Sequence, residues 1–258
     1  MKDKTLNSPL NDDNNPRVVD IGCGTGIVTH RIASQFPKAE VFGLDISSVP
    51  KLREPLKNEK FLVGNILTQD ASQWTDENGK SVVKSKEQIF DLTFSRFLIF
   101  GMLDWSGYIQ KLYQVIKSGG WADFQEIDPN MYGPDGKALP REGRFDSGLF
   151  NHLHSKGVDI FVIEKIPDLL RQAGFVDVQM VKYRVSMGDR FETDPARRRA
   201  GAWMLGNLKG IITLMSERAI PEVGAEEVQR WKDATNEQLD GSRDIYTQVL
   251  VMYAKKPA

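Results

Sequence analysis

The alternation of strand and helix patterns along the chain predicts an α/β fold, a parallel sheet with helices on both faces. Two further observations support it. The first strand-like run, Val18-Val-Asp-Ile21, stops in a turn with glycine at positions 22, 24 and 26, and a helical pattern starts directly behind it. Such a turn brings bare backbone and a helix N-terminus up against a ligand. At 258 residues, 40% hydrophobic and 27% charged, the chain also has the composition of one large soluble α/β domain.

In order, residues 1–16 are polar and rich in Asn and Asp, and read as a flexible arm ended by Pro16. The β-branched run at 18–21 is a buried strand. Behind Gly26, Val28, Ile32 and Phe36 share a helix face until Pro37 stops it. Residues 40–46 form a second strand, followed by a short helix around 49–57. Residues 60–66 form a third, and the polar run 68–86 is an exposed loop with Asn78-Gly79 as its turn. A fourth strand occupies 89–95. Asp104 then caps a helix with Trp105, Ile109, Leu112 and Ile116 on one face. Gly119-Gly120 is expected to end it, and 121–128 to be the fifth strand.

Beyond Asp128 the regular alternation breaks. The segment 129–136 is turn-rich, a helix is expected near Phe145–Ser155, and Pro167 opens another that Gly174 ends. Residues 176–185 are a sixth strand. Asp194-Pro195 starts a long helix striped by Met204, Leu208, Ile211, Ile212 and Met215, and an amphipathic helix covers about 226–239. The run 246–253 is a last strand. With no repeat or linker in sight, 17–258 reads as a single domain in which 129–155 and 190–240 are substrate-side insertions.

Composition excludes several classes. A net charge of −1 gives no reason to expect nucleic acid or an anionic membrane surface. One cysteine rules out an internal disulfide and points to a reducing, cytoplasmic setting, and with three histidines no metal site is assigned. Residues 1–16 lack the apolar core of a signal peptide. No apolar run approaches the roughly 20 residues that span a bilayer.

Strand ends are where ligands of such sheets bind. A dinucleotide turn wants Gly-x-Gly-x-x-Gly, yet Ile27 stands at the position after the gap, which counts against NAD. Asp45, ending the second strand, suits ribose hydroxyls. Asp20, before the turn, would repel a pyrophosphate but suits the amino-acid end and sulfonium charge of S-adenosylmethionine.

Val18-Val-Asp-Ile-Gly-Cys-Gly-Thr-Gly26 resembles motif I of the class I S-adenosylmethionine-dependent methyltransferases. The likeness continues through 41–47, 90–96 and 116–121. The run Gly120-Trp-Ala-Asp-Phe-Gln-Glu-Ile-Asp128, Asp104-Trp105 and the closing strand are similar to a fungal methyltransferase-domain family. That family includes secondary-metabolite methyltransferases and a methyltransferase-like regulator of secondary metabolism. The resemblance implies a Rossmann-like sheet of about seven strands, mostly parallel with the last antiparallel. It implies S-adenosylmethionine as cofactor, with Asp20, Gly22 and Gly24 at its methionine part, Asp45 at the ribose, Asn65 and Ile66 at the adenine, and Cys23 and Ile46 also in the cofactor site. Many relatives carry Asp where this chain has Asn65. Ser95 and Arg96 would stand where methyl group and acceptor meet.

The expected activity is methyl transfer to a small molecule, with a cofactor-binding protein that does not methylate as the alternative. Substrate-side candidates are Glu126, Asp128, Tyr132, His152 and Trp203. Glu126 and Asp128 are expected to line the cleft, and no catalytic residue is assigned. The usual N-terminal helical lid is not apparent ahead of residue 17. The insertions or a second subunit would then provide the cover, and a homodimer is left open.

Overall fold

The computed structural model describes residues 5–140 and 147–258. Seven strands, β1 (Arg17–Ile21), β2 (Glu40–Asp45), β3 (Glu59–Val63), β4 (Phe90–Arg96), β5 (Ile116–Ile127), β6 (Val176–Ser186) and β7 (Tyr246–Lys255), form one sheet in the order β3-β2-β1-β4-β5-β7-β6. The first five are parallel, and β7 runs antiparallel to both β5 and β6. This is the doubly wound sheet that the alternation predicts. The chain order reverses between β1 and β4, so a crevice opens beyond their carboxyl ends.

Helices α1 (Ile27–Gln35), α2 (Trp105–Val115), α3 (Ser147–Ser155), α4 (Ile166–Gln172), α5 (Pro195–Arg218), α6 (Ile220–Val223) and α7 (Ala225–Gln238) pack around it. Strand residues alternate between two cores, because successive side chains point to opposite faces. Val19, Ile21, Phe42, Leu44, Phe90 and Phe124 enter the larger core with α2, whereas Val18, Val41, Leu92 and Phe94 meet Ile32 and Ala33 of α1 on the other side. Asp104 caps α2 by accepting from the Gly107 amide, and Asp194 caps α5 by accepting from the Ala196 and Arg197 amides, as their sequence positions predict.

Four expectations are corrected. Residues 46–58 contain no helix. On the α1 face, part of the cover comes instead from residues expected to be a loose arm. Leu6 is buried in the α1-side core, while Asp123 Oδ2 accepts from the Asn7 and Ser8 amides and the Gln125 side-chain amide donates to the Thr5 carbonyl. Residues 5–8 are thus packed against β5, Asp12 and Asp13 accept from Lys38, and 1–4 lie outside the described residues. The third change concerns Gly119-Gly120, which do not end α2 but lie inside β5. The helix stops at Val115, and a Cβ on Gly120 would press on the Asp91 carbonyl, so the glycine lets β4 and β5 approach. Finally, β3 ends at Val63, so Asn65 and Ile66 belong to the following turn. Phe145, expected at the start of a helix, lies outside the described residues.

Candidate functional site

The glycine turn is built from its own amides. Gly22 and Cys23 both donate to the Leu44 carbonyl at 2.8 and 3.1 Å, and Gly24 donates to Asp45 Oδ2 at 2.9 Å. The turn leaving β1 is therefore stitched to the end of β2. Gly22, Gly24 and Gly26 all have left-handed backbones, with φ of 70°, 55° and 71°. A side chain at Gly22 would collide with Leu98, one at Gly26 with Phe61, and one at Gly24 would project into open space. Two glycines are thus demanded by packing, and the third leaves the mouth of the turn bare.

Asp45 Oδ1 accepts from the Ser47 amide and hydroxyl, so the carboxylate is fixed on both oxygens at the rim. Its neighbour Ile46 is 75% exposed, an apolar side chain held in solvent beside the turn. Gly64 donates to the Asp45 carbonyl, which brings the exit of β3 alongside. There Asn65 Oδ1 accepts from the Leu67 amide at 2.9 Å, an Asx turn, and Ile66 is buried in the main core. Ser95, opposite Ile21 in the β1–β4 pairing, is buried beside the Tyr108 phenol. Asp20, Gly22, Cys23, Gly24, Asp45, Ile46, Asn65, Ile66, Ser95 and Arg96 therefore all lie along the carboxyl ends of β3, β2, β1 and β4.

Asp20 is buried and accepts from the Thr29 hydroxyl at 2.7 Å, which ties β1 to α1. Burial pushes its carboxyl up to about 6, while Thr29 and the positive Arg96 pull the other way. Arg96 is half-buried and stands 5.2 Å from the Phe97 ring, and burial lowers the pKa of its guanidinium. The Cys23 thiol is buried within the turn and its pKa is raised by that burial, so it is not a thiolate.

The substrate-side candidates do not assemble as expected. Glu126 is fully buried, with Oε1 accepting from the Leu98 amide and Oε2 from the Ile99 amide. It faces the α2-side core because it lies in register with Phe124 and Ala122 on that face of β5. Asp128 is also enclosed. Its Oδ1 accepts from Asn130, its Oδ2 accepts from the Tyr132 hydroxyl at 2.7 Å, and Tyr132 stacks on Tyr246. Neither carboxylate lines an open cleft; both brace the backbone that follows a strand. His152 sits against Trp231 and 3.9 Å from Glu222, between α3, α6 and α7. Trp203 is 56% exposed on the outer face of α5, beside Gly206, Gly210 and Leu214.

Sequence reasoning missed Thr29 and Leu98. Thr29 was visible as a hydroxyl in the first turn of the helix behind the motif. For Leu98 no local pattern announces the contact with Gly22.

The glycine turn fits an adenosyl amino acid on two counts. Gly24 leaves a cradle open where a Cβ would stand, and the rim offers one carboxylate and an exposed apolar side chain. Fold and site together are those of a class I S-adenosylmethionine-dependent methyltransferase. Residues 1–180 match the family described as "Methyltransferase domain", and the chain belongs to it.

Among curated relatives, it is 29% identical over 204 residues to the secondary metabolism regulator LAE1 of Cochliobolus heterostrophus, covering 77% of this chain and 62% of that one. It is 30% identical over 107 residues to trans-aconitate 2-methyltransferase of Deinococcus radiodurans, covering 40% and 35%. In fold it is similar to phosphoethanolamine N-methyltransferase 2 of Haemonchus contortus, solved with S-adenosyl-L-methionine, at a TM-score of 0.53 and 18% identity over 97% of this chain and 50% of that one. The chain thus spans under two thirds of the length of these relatives. No helix among the described residues is long and apolar enough to cross a membrane.

Proposed function

We propose that this chain transfers a methyl group from S-adenosylmethionine to a small-molecule acceptor of secondary metabolism. The observation that carries the reading is the convergence of the bare Gly24 turn, the fixed Asp45 carboxylate and exposed Ile46 beside Ser95 and Arg96. In this reading Asp20, Gly22, Cys23 and Gly24 hold the amino-acid part, with the negative field of Asp20 toward the ammonium and sulfonium. Asp45 takes the ribose, and Ile46, Asn65 and Ile66 take the adenine. An adenine contact through Asn65 has to share the oxygen that already serves the Leu67 amide, or use the side-chain nitrogen.

Bound there, the cofactor supplies a methyl group already activated on a sulfonium. Positioning and exclusion of water then provide most of the acceleration. Glu126 and Asp128 have their oxygens engaged, so neither is free to act as a general base. The acceptors that suit such a site attack without losing a proton first, a carboxylate or a neutral amine. The names of two relatives contain acceptors of those kinds, trans-aconitate and phosphoethanolamine. The cytoplasm is the compartment this reading assigns; it leaves open whether the protein is a monomer or a homodimer, which light scattering decides.

Calorimetric titration of S-adenosylmethionine and S-adenosylhomocysteine into the protein is the first test, and absence of binding at millimolar ligand sinks the proposal. Transfer of isotope from methyl-labelled cofactor to carboxylate and amine panels is the second.

A regulatory reading is kept because the relatives that cover most of this chain carry the name of regulators. It requires cofactor binding with no labelled small-molecule product.

A further inference from the structure

Three features of the loop leaving β4 belong together. Phe97, the first residue after the strand, has a left-handed backbone with φ of 58°, a strained conformation for a residue with a bulky side chain. The next two amides, of Leu98 and Ile99, are both consumed by the carboxylate of Glu126, at 2.9 and 3.2 Å, and that carboxylate is wholly buried. The Leu98 side chain in turn fills the space on the α-carbon of Gly22, at the start of the glycine turn. A strained backbone persists only where its surroundings over-determine it. Here the surroundings are a buried carboxyl below and the glycine turn beside it.

We infer that Glu126 is a positioning residue for cofactor binding, holding the kinked exit of β4 so that Leu98 supports the Gly22 turn. The inference rests on the reading of that turn as the cofactor site. Glu126 does not touch the ligand in this arrangement; it acts through two backbone amides and one side chain. The Tyr108 phenol on α2 faces the Glu126 carboxyl, and burial pushes that carboxyl up to about 8 while the two amides it clamps pull the other way.

The test combines Glu126→Gln, Leu98→Ala and the double variant, each titrated with S-adenosylhomocysteine. A glutamine can accept from only one of the two amides, so Glu126→Gln leaves a buried N–H unpaired and is expected to weaken binding about tenfold. Leu98→Ala should weaken it too, and the double variant should be no worse than the worse single one, because both changes break the same chain of contacts. Amide hydrogen exchange gives a readout independent of the ligand: Leu98 and Ile99 should lose protection in Glu126→Gln while the amides of β1 keep theirs.

Unchanged affinity in a folded Glu126→Gln protein, or multiplicative effects in the double variant, overturns the inference. Should Glu126→Gln fail to fold, Leu98→Ala decides alone, since it leaves both Glu126 bonds in place; unaltered affinity there is equally fatal. If the wild type itself binds no S-adenosylhomocysteine, the cofactor reading fails instead, and loss of protection at Leu98 and Ile99 still reports on the clamp.

Discussion

Asp20 has two duties that a single substitution can separate. Its carboxylate accepts the Thr29 hydroxyl and also sets the charge beside Arg96. Asp20→Asn keeps an acceptor for Thr29 but removes the charge. It should therefore fold with a near-native melting temperature while S-adenosylmethionine affinity falls about tenfold or more, the size expected for one lost charged contact. Gly22→Ala is the harsher change, since it forces a Cβ into Leu98 at a φ of 70°. Calorimetry should register both lost binding and a stability loss of about 1–3 kcal/mol.

Asp123 is the residue-scale pH sensor. Burial raises its carboxyl from 3.8 to about 6, against the pull of the Ser8 and Asn7 donors. Because the folded value lies above the unfolded one, the native state holds this proton more tightly. The stability it brings is complete below about 4 and is lost as pH rises through about 6. Asp123→Asn should therefore melt above the wild type at pH 7.5, by a few degrees for a gain of about 1–2 kcal/mol, and the gap should close by pH 4.

At the scale of elements, caps and glycines carry most of what could be read in advance. Asp104 and Asp194 were legible because an N-cap is a local device, a short acceptor within three residues of the amide it meets. Asp194→Ala should lower the melting temperature by about 2–4 °C. The glycine turn was legible for the same reason. Gly119-Gly120 were misread because glycine ends helices and also permits close strand approach, and only the position of the Asp91 carbonyl distinguishes the two. The roles of Glu126 and Asp128 were illegible in principle. Alternation along a strand says which residues share a face, but not whether amides from a distant loop will meet them. In α5 the glycines 206 and 210 face outward with nothing near their α-carbons. Alanine at each should raise stability by up to about 1 kcal/mol, measured by thermal melting.

Across the whole molecule, the sheet is tied together from its last strand. Beyond β7, the buried Lys256 amine donates to the Tyr113 and Ile116 carbonyls at 2.6 and 2.8 Å, closing the C-terminus of α2. The alternation announces that the first five strands run parallel, but not their order in the sheet. Nor could the placement of β7 between β5 and β6 be anticipated, because nothing local to either strand encodes which side it takes.

That placement has a consequence for how the protein is made. Of the seven strands, the last in chain order is an inner one, and it must enter a slot whose far wall, β6, was synthesised about 60 residues earlier, a separation that adds loop-closure entropy to the step. Until then β5 lacks a neighbour on one side, α2 lacks its terminal cation, and β6 has no strand to pair with. Five parallel strands can gather during synthesis, but the sheet is closed by a single later insertion. The time between those two events is when a chaperone would find it.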